Sequence, residues 1–194
     1  MVIKLLNEFK GVYMKYIVLL RGINISGKNK ISMAELKELL ENNNYENVKT
    51  FLNSGNVIID SKSNKDKIRE DVHKLILENF DLDIPVYVIS SIDLNDMLNH
   101  SPEWWGTENK NIYDNIIFIM QDSNYEEIYS VVGEPKENID TIEKYNNIIF
   151  WSYDLSNYRK STWWIKTAST NIKDKITIRT ANTVKKLLEL CEKE

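Results

Sequence analysis

The chain has 194 residues and a mass of 22.8 kDa, enough for one domain or two small subdomains that each bury a core. A hydrophobic fraction of 42% beside 28% charged residues is that of an ordinary soluble globular protein, and no apolar run approaches membrane-spanning length. The formal net charge of -4, from 25 basic and 29 acidic side chains, excludes a general nucleic-acid coat protein and leaves room for local basic patches.

The first thirteen residues, Met1 to Tyr13, read as an N-terminal extension. Val2, Leu5, Leu6 and Phe9 fit a short amphipathic helix, and the apolar segment is too short for a secretory signal. Tyr16 to Arg21 then forms an apolar strand running into Gly22-Ile23-Asn24-Ile25-Ser26-Gly27-Lys28-Asn29, one residue short of a phosphate-binding G-x-x-x-x-G-K-[ST] loop. Two features argue against a P-loop. Asn29 stands where a Mg²⁺-ligating hydroxyl is needed, and Ser32 with Glu35 forms a capping box that starts the next helix too late for the loop amides to join it. Ile31 and Leu36 supply the hydrophobic staple of that helix, expected from about Met33 to Leu40.

Val48 to Leu52 and Val57 to Ile59 flank Asn53-Ser54-Gly55-Asn56, a hairpin turn whose antiparallel neighbours do not fit a P-loop sheet. An amphipathic helix follows over Asn64 to Phe80, with His73 off its apolar stripe, and then a strand over Ile84 to Ile89 with Pro85 near its start. This β-α-β-β-α-β order is that of a split-βαβ, ferredoxin-like plait. The remainder repeats the order loosely. After a short helix around Leu94, Met97 and Leu98, Ile116 to Met120 is a buried strand, and Asp122 or Ser123 caps a helix that Gly133-Glu134-Pro135 stops. Ile139 to Glu143 and Ile148 to Tyr153 flank Asn146-Asn147 as a second hairpin. A helix over Thr162 to Ala168, a strand over Ile176 to Ile178 and a last helix from about Asn182 to Cys191 complete the chain. The expected fold is α+β, two tandem ferredoxin-like plaits over residues 14–90 and 91–194.

Cys191 falls at helical spacing with Val184, Leu187 and Leu188, which predicts a packed thiol. A single cysteine excludes an internal disulfide and fits a reducing, cytoplasmic setting. His73 and His100 have no cysteine or carboxylate neighbours at metal-ligand spacing, so neither a metal site nor a cofactor is expected.

With the loop and hairpins placed, the chain closely resembles the bacterial family known as domain of unknown function 1697. The resemblance is carried by Lys15 to Asn24, Gly27-Lys28-Asn29, Met33-Ala34-Glu35-Leu36, Ser54-Gly55-Asn56-Val57 and Ile178 to Leu187. Small departures fall at Ser26, Asn53, Thr180 and Ala181. The resemblance implies a tandem α+β plait in a cytosolic bacterial protein and brings no assigned activity.

The residues in excess of structural need sit at element ends. Arg21, Asn24, Lys28 and Asn29 follow the first strand, Ser54 and Asn56 lie in the first hairpin turn, and Arg179, Asn182 and Thr183 lie where the last strand enters the last helix. Brought together, they would offer backbone amides, arginine forks and a helix N-terminus to one anion, a phosphate or carboxylate. Taken singly, each also fits a turn or capping role. Arg159, Lys160, Ser161 and Lys166 add a basic stretch beside Trp163 and Trp164, while Ser161 has no histidine base for a nucleophilic role.

Two readings follow. One is a binding protein for a phosphorylated ligand, a nucleotide or a nucleic-acid strand; against an RNA-binding sheet, the first-half strands lack the stacking aromatic pair. The other is an interaction module acting as a homo-oligomer, with Trp104 and Trp105 as contact anchors. A P-loop-like enzyme stands third, and no catalytic constellation is recognised. A membrane partner is not expected. Lys10 to Tyr13 can be encoded with a purine-rich ribosome-binding element ahead of the Met14 codon, which would make Met14 the natural start; the alternative is that Met1 to Tyr13 is native coding sequence. N-terminal sequencing of protein made from the native locus checks this, and a chain beginning at Met1 refutes the Met14 start.

Overall fold

The structure, a computed structural model, describes residues 13–169 and 171–193. The helix expected over Val2, Leu5, Leu6 and Phe9 lies outside them. The chain divides into two compact units, the first ending at Leu94 and the second running Asn95–Glu192. Each unit carries one four-stranded antiparallel sheet. Among the described residues, no helix is long and apolar enough to cross a membrane.

The first unit follows the order β1 (Met14–Leu20), α1 (Met33–Asn42), β2 (Glu46–Phe51), β3 (Asn56–Ser61), α2 (Lys65–Phe80), β4 (Val86–Ser90). Its sheet runs β2-β3-β1-β4. Alternation places Tyr16, Val18 and Leu20 of β1 on one face with Val57, Ile59, Val86 and Val88. Leu36 and Leu40 of α1 and Ile68, Val72 and Ile76 of α2 close the core over that face. Ser32 caps α1 as expected, its hydroxyl accepting from the Glu35 amide at 3.3 Å, with Ile31 and Leu36 both buried. The Asn64 side chain caps α2 by accepting from Lys67 N at 2.9 Å.

The strand expected from Ile84 begins instead at Val86. Proline has no amide to give a ladder, and the Pro85 carbonyl accepts from Arg21 N at 3.0 Å at the strand boundary. The β2–β3 turn closes on Gly55, whose φ of +79° suits glycine. A Cβ there would stand 2.7 Å from Leu20 Cβ and 2.9 Å from Ile23 Cδ1.

The second unit begins within α3 (Ser91–Asn99) and continues with β5 (Ile112–Ile119), α4 (Tyr125–Val132), β6 (Asp140–Tyr145) and β7 (Ile148–Asp154). A 3₁₀ segment (Leu155–Lys160), α5 (Thr162–Ser169), a 3₁₀ turn (Lys173–Lys175), β8 (Ile176–Thr180) and α6 (Ala181–Glu192) follow. The sheet order, β6-β7-β5-β8, repeats the second-third-first-fourth order of the first unit. Ile117, Ile119, Ile149, Trp151 and Ile176 from the strands pack with Ile128, Val132 and Trp163 from α4 and α5.

The cap of α4 is Asn124, which accepts from Glu127 N at 2.9 Å, rather than Asp122 or Ser123. Those two residues form the preceding turn, in which Ser123 N donates to Met120 O at 3.1 Å. The buried Asp140 carboxylate ties several segments together. It accepts from Trp151 Nε1 at 3.2 Å, Lys136 N at 3.0 Å, Thr162 N at 2.9 Å and the Ser161 hydroxyl. Ser161 is thereby a fully buried structural residue, in keeping with its lack of a catalytic base.

Gly55→Ala is expected to lower stability by about 3 kcal/mol, combining a left-handed backbone with overpacking against Leu20. Gly27→Ala shares the positive φ but meets nothing within 4 Å, so about 1 kcal/mol is expected. Urea denaturation midpoints of the two variants check the difference.

Candidate functional site

In the first unit the expected site residues are largely bound to one another. Asn24, at φ 54°, donates through Nδ2 to Ile31 O and to Asn53 O, both at 2.9 Å, and its Oδ1 accepts from Ile31 N at 3.0 Å. One side chain thus closes the Gly22–Asn29 loop and fastens it to the β2–β3 turn. Asn29 Nδ2 donates to Gly22 O at 3.0 Å, and Asn24 N donates to Asn29 O at 3.1 Å. Asn56 is fully buried and donates to Phe51 O at 2.9 Å and to Ser54 Oγ at 3.0 Å. Arg21 is half-buried and engaged, whereas Lys28 is exposed on the loop. Helix α1 starts only at Met33, and β1 is antiparallel to both β3 and β4, so the loop has neither the helix nor the parallel sheet of a P-loop.

In the second unit, Arg179 is buried and its Nη1 donates to Thr177 Oγ1 and Ile178 O, both at 2.8 Å. Thr180 is the last residue of β8 and Ala181 the first of α6. The Thr180 hydroxyl caps the helix, accepting from Thr183 N at 3.2 Å and lying 2.9 Å from the Thr183 hydroxyl. Asn182, in the first turn of α6, is exposed on a cleft of about 530 Å³. The cleft also receives Gly106 to Lys110 from the loop before β5, Tyr113 and Asp114 from β5, and Lys185 from α6.

Trp105 precedes Gly106, the first of the loop residues in the lining. It is buried, donates from Nε1 to Asn115 O at 2.7 Å and meets Phe150 edge-on at 5.0 Å. Lys185 Nζ donates to Gly106 O at 2.6 Å and lies 5.6 Å from the Trp105 ring centroid. Trp105 is therefore a packing residue within its own unit and not an exposed contact anchor. Trp163 likewise is buried, donating to Gly133 O at 3.2 Å, while Trp164 is partly exposed against Tyr158. Among the described residues, no group of three His, Cys, Asp or Glu side chains is arranged to hold a metal ion.

The profile of a protein family described as a protein of unknown function, DUF1697, matches residues 14–150. The chain belongs to that family. Its structure is also similar to that of the conserved bacterial protein SP0830 from Streptococcus pneumoniae, with a TM-score of 0.82 and 25% sequence identity over 93% of this chain and 99% of that one. No curated protein matches the chain. The stretch matched to DUF1697 includes the Asn24 loop and the Gly55 turn, and it ends before Thr180 to Lys185.

In this DUF1697 member, then, Arg21, Asn24, Lys28, Asn29, Ser54 and Asn56 lie in the first unit, and Arg179, Asn182 and Thr183 in the second. Only Asn182 of these lines the cleft. Sequence reasoning missed Lys110, Asp114 and Lys185. Asp114 carried a usable signal as a carboxylate two residues ahead of the apolar run Ile116 to Ile119. Asn24→Ala removes three hydrogen bonds and is expected to cost about 2–3 kcal/mol. Hydrogen exchange should quicken in both residues 22–31 and residues 52–56, and acceleration confined to one segment would show that Asn24 does not couple them.

Proposed function

We propose that this protein binds a small phosphorylated ligand in the cleft at the start of α6. The observation that carries the reading is the placement of Asn182, Lys185 and Lys110 around one opening at a helix N-terminus. The helix dipole attracts an anion there, beside a first turn whose Thr183 amide is already taken by the Thr180 hydroxyl, and two ammonium groups add charge attraction. The opening falls in the range of small-molecule sites, about 300–1,000 Å³. Glu108 and Asp114 in the same lining argue for a ligand with polar groups besides its phosphate.

Several finer assignments accompany this reading. Both units are taken as split-βαβ, ferredoxin-like plaits, on the strength of their shared strand order. A boundary near residue 90 separates them, and the setting is cytoplasmic. The exposed Lys28 keeps the Asn24 loop as a secondary place for anion contact. The antiparallel neighbours of β1 favour simple binding over P-loop catalysis.

Thermal shift and titration calorimetry with pyrophosphate, sugar phosphates and nucleotides test the proposal. Binding that weakens as salt is raised is expected. Asn182→Asp should leave the melting temperature unchanged or higher, because an acidic residue suits a first helical turn, yet weaken ligand binding roughly tenfold. A panel in which no phosphorylated compound binds, or an Asn182→Asp protein that binds as well as wild type, refutes it.

A further inference from the structure

Asp114 is the group in the cleft that phosphate binding does not explain. It is 9% exposed, and among the described residues it accepts one hydrogen bond, from the Ser152 hydroxyl to Oδ1. The residue lines the cleft, and its Oδ2 is absent from the sealed, unpartnered polar atoms of the described structure. That oxygen therefore keeps some exposed surface, on a residue that borders the cleft. A carboxylate so placed can only accept hydrogen bonds while ionised.

The repeated strand order makes the arrangement more informative. In the first unit Tyr16 pairs with Ser90, the last residue before α3, and in the second Asn115 pairs with Thr180, the last residue before α6. Lys15 and Asp114 therefore occupy equivalent positions, one residue earlier on the central strand. Their cross-strand partners are equivalent too, Asp60 for Lys15 and Ser152 for Asp114. The first unit places a cation and an anion there, with Lys15 Nζ 3.4 Å from Asp60 Oδ1, so the two charges offset each other although that oxygen accepts no hydrogen bond among the described residues. The second places a carboxylate opposite an uncharged hydroxyl. A buried charge with one neutral partner is costly unless a further donor completes it.

We infer that Asp114 receives a sugar hydroxyl of the ligand, so that the cleft recognises the phosphate ester of a hydroxylated sugar, such as a nucleoside phosphate, rather than phosphate alone. The inference rests on the reading of this cleft as a phosphate site. The phosphate faces Asn182, Lys110 and Lys185, and the sugar spaces it from Asp114, which would repel a bare anion pushed against it.

Titration calorimetry with AMP, its 2′,3′-dideoxy analogue, ribose 5-phosphate and pyrophosphate tests this. Removing a hydroxyl that donates to a charged acceptor is expected to weaken binding roughly tenfold or more, so AMP should bind that much more tightly than its dideoxy form. Ribose 5-phosphate should bind and compete with AMP. Asp114→Asn should remove the preference for AMP over the dideoxy analogue while pyrophosphate binding persists or tightens. Equal affinity for AMP and its dideoxy form on the wild-type protein overturns the inference, even if Asp114→Asn fails to fold. If pyrophosphate still binds in that case, the phosphate reading stands, whereas a protein that binds none of the four ligands loses both.

Discussion

A strand that becomes a helix without an intervening loop is the constraint on which the candidate site depends. Thr180 closes β8 and Ala181 opens α6, so the register of Thr180 against Asn115 fixes where the helix begins. The Thr180 hydroxyl caps that start. Burial of Ala181, Val184, Leu187 and Cys191 fixes the rotation of the helix about its axis. With register and rotation both set by the core, Asn182 and Lys185 are left exposed. The polar character of the cleft is a consequence of how the apolar face is buried. The first unit uses the same device, since Ser90 ends β4, Ser91 opens α3, and the Ser90 hydroxyl accepts from Asp93 N at 3.0 Å.

Such a junction holds only if the rest of the sheet does not shift. A one-residue slip of β8 would turn every side chain to the other face and carry the helix start away from Asp114. Two polar anchors oppose such rearrangement in the second unit. Trp105 bonds the Asn115 carbonyl on β5. Asp140 accepts donors from the segment before β6, from β7 and from the start of α5. Four donors on one buried carboxylate satisfy it as few neutral acceptors could, and loss of that group would leave several of them without a partner. The walls of the cleft that carry Asp114, Asn182 and Lys185 therefore stand on a paired strand and a packed helix, which positions those groups before a ligand arrives, while Lys110 is supplied by the loop before β5.

Most elements were legible because their signals are local. The Ser32 cap, the stripe of α2 and the Asn146-Asn147 hairpin turn each depend on residues a few positions apart. The errors fell where pairing overrides composition. Tyr113-Asp114-Asn115 and Arg179-Thr180 look like loop, and the expected strands stopped short of them at Ile116 and Ile178. Backbone ladders do not require apolar side chains, and β5 and β8 run through both stretches. Trimming β5 hid Asp114, and trimming β8 hid the direct junction with α6. The site was only partly legible for the opposite reason. Asn24, Asn29 and Asn56 look like ligand groups at element ends, yet turns at positive φ need such side chains to bond the backbone nearby.

The two units show why fold and site must be argued separately. They share the order of strands and the capped strand-to-helix junction, but dispose their charges differently around it. In the first, Lys15 and Asp60 neutralise one another, and the asparagine-rich loop bonds inward. In the second, Asp114 has Ser152 as its one hydrogen-bond partner among the described residues, and Lys110, Lys185 and Asn182 gather about a cleft. A topology that pairs opposite charges in one instance can set a carboxylate against an uncharged hydroxyl in another with little change to its core, because the choice is made by a few side chains at strand ends. Function is to be sought where the repeat is broken.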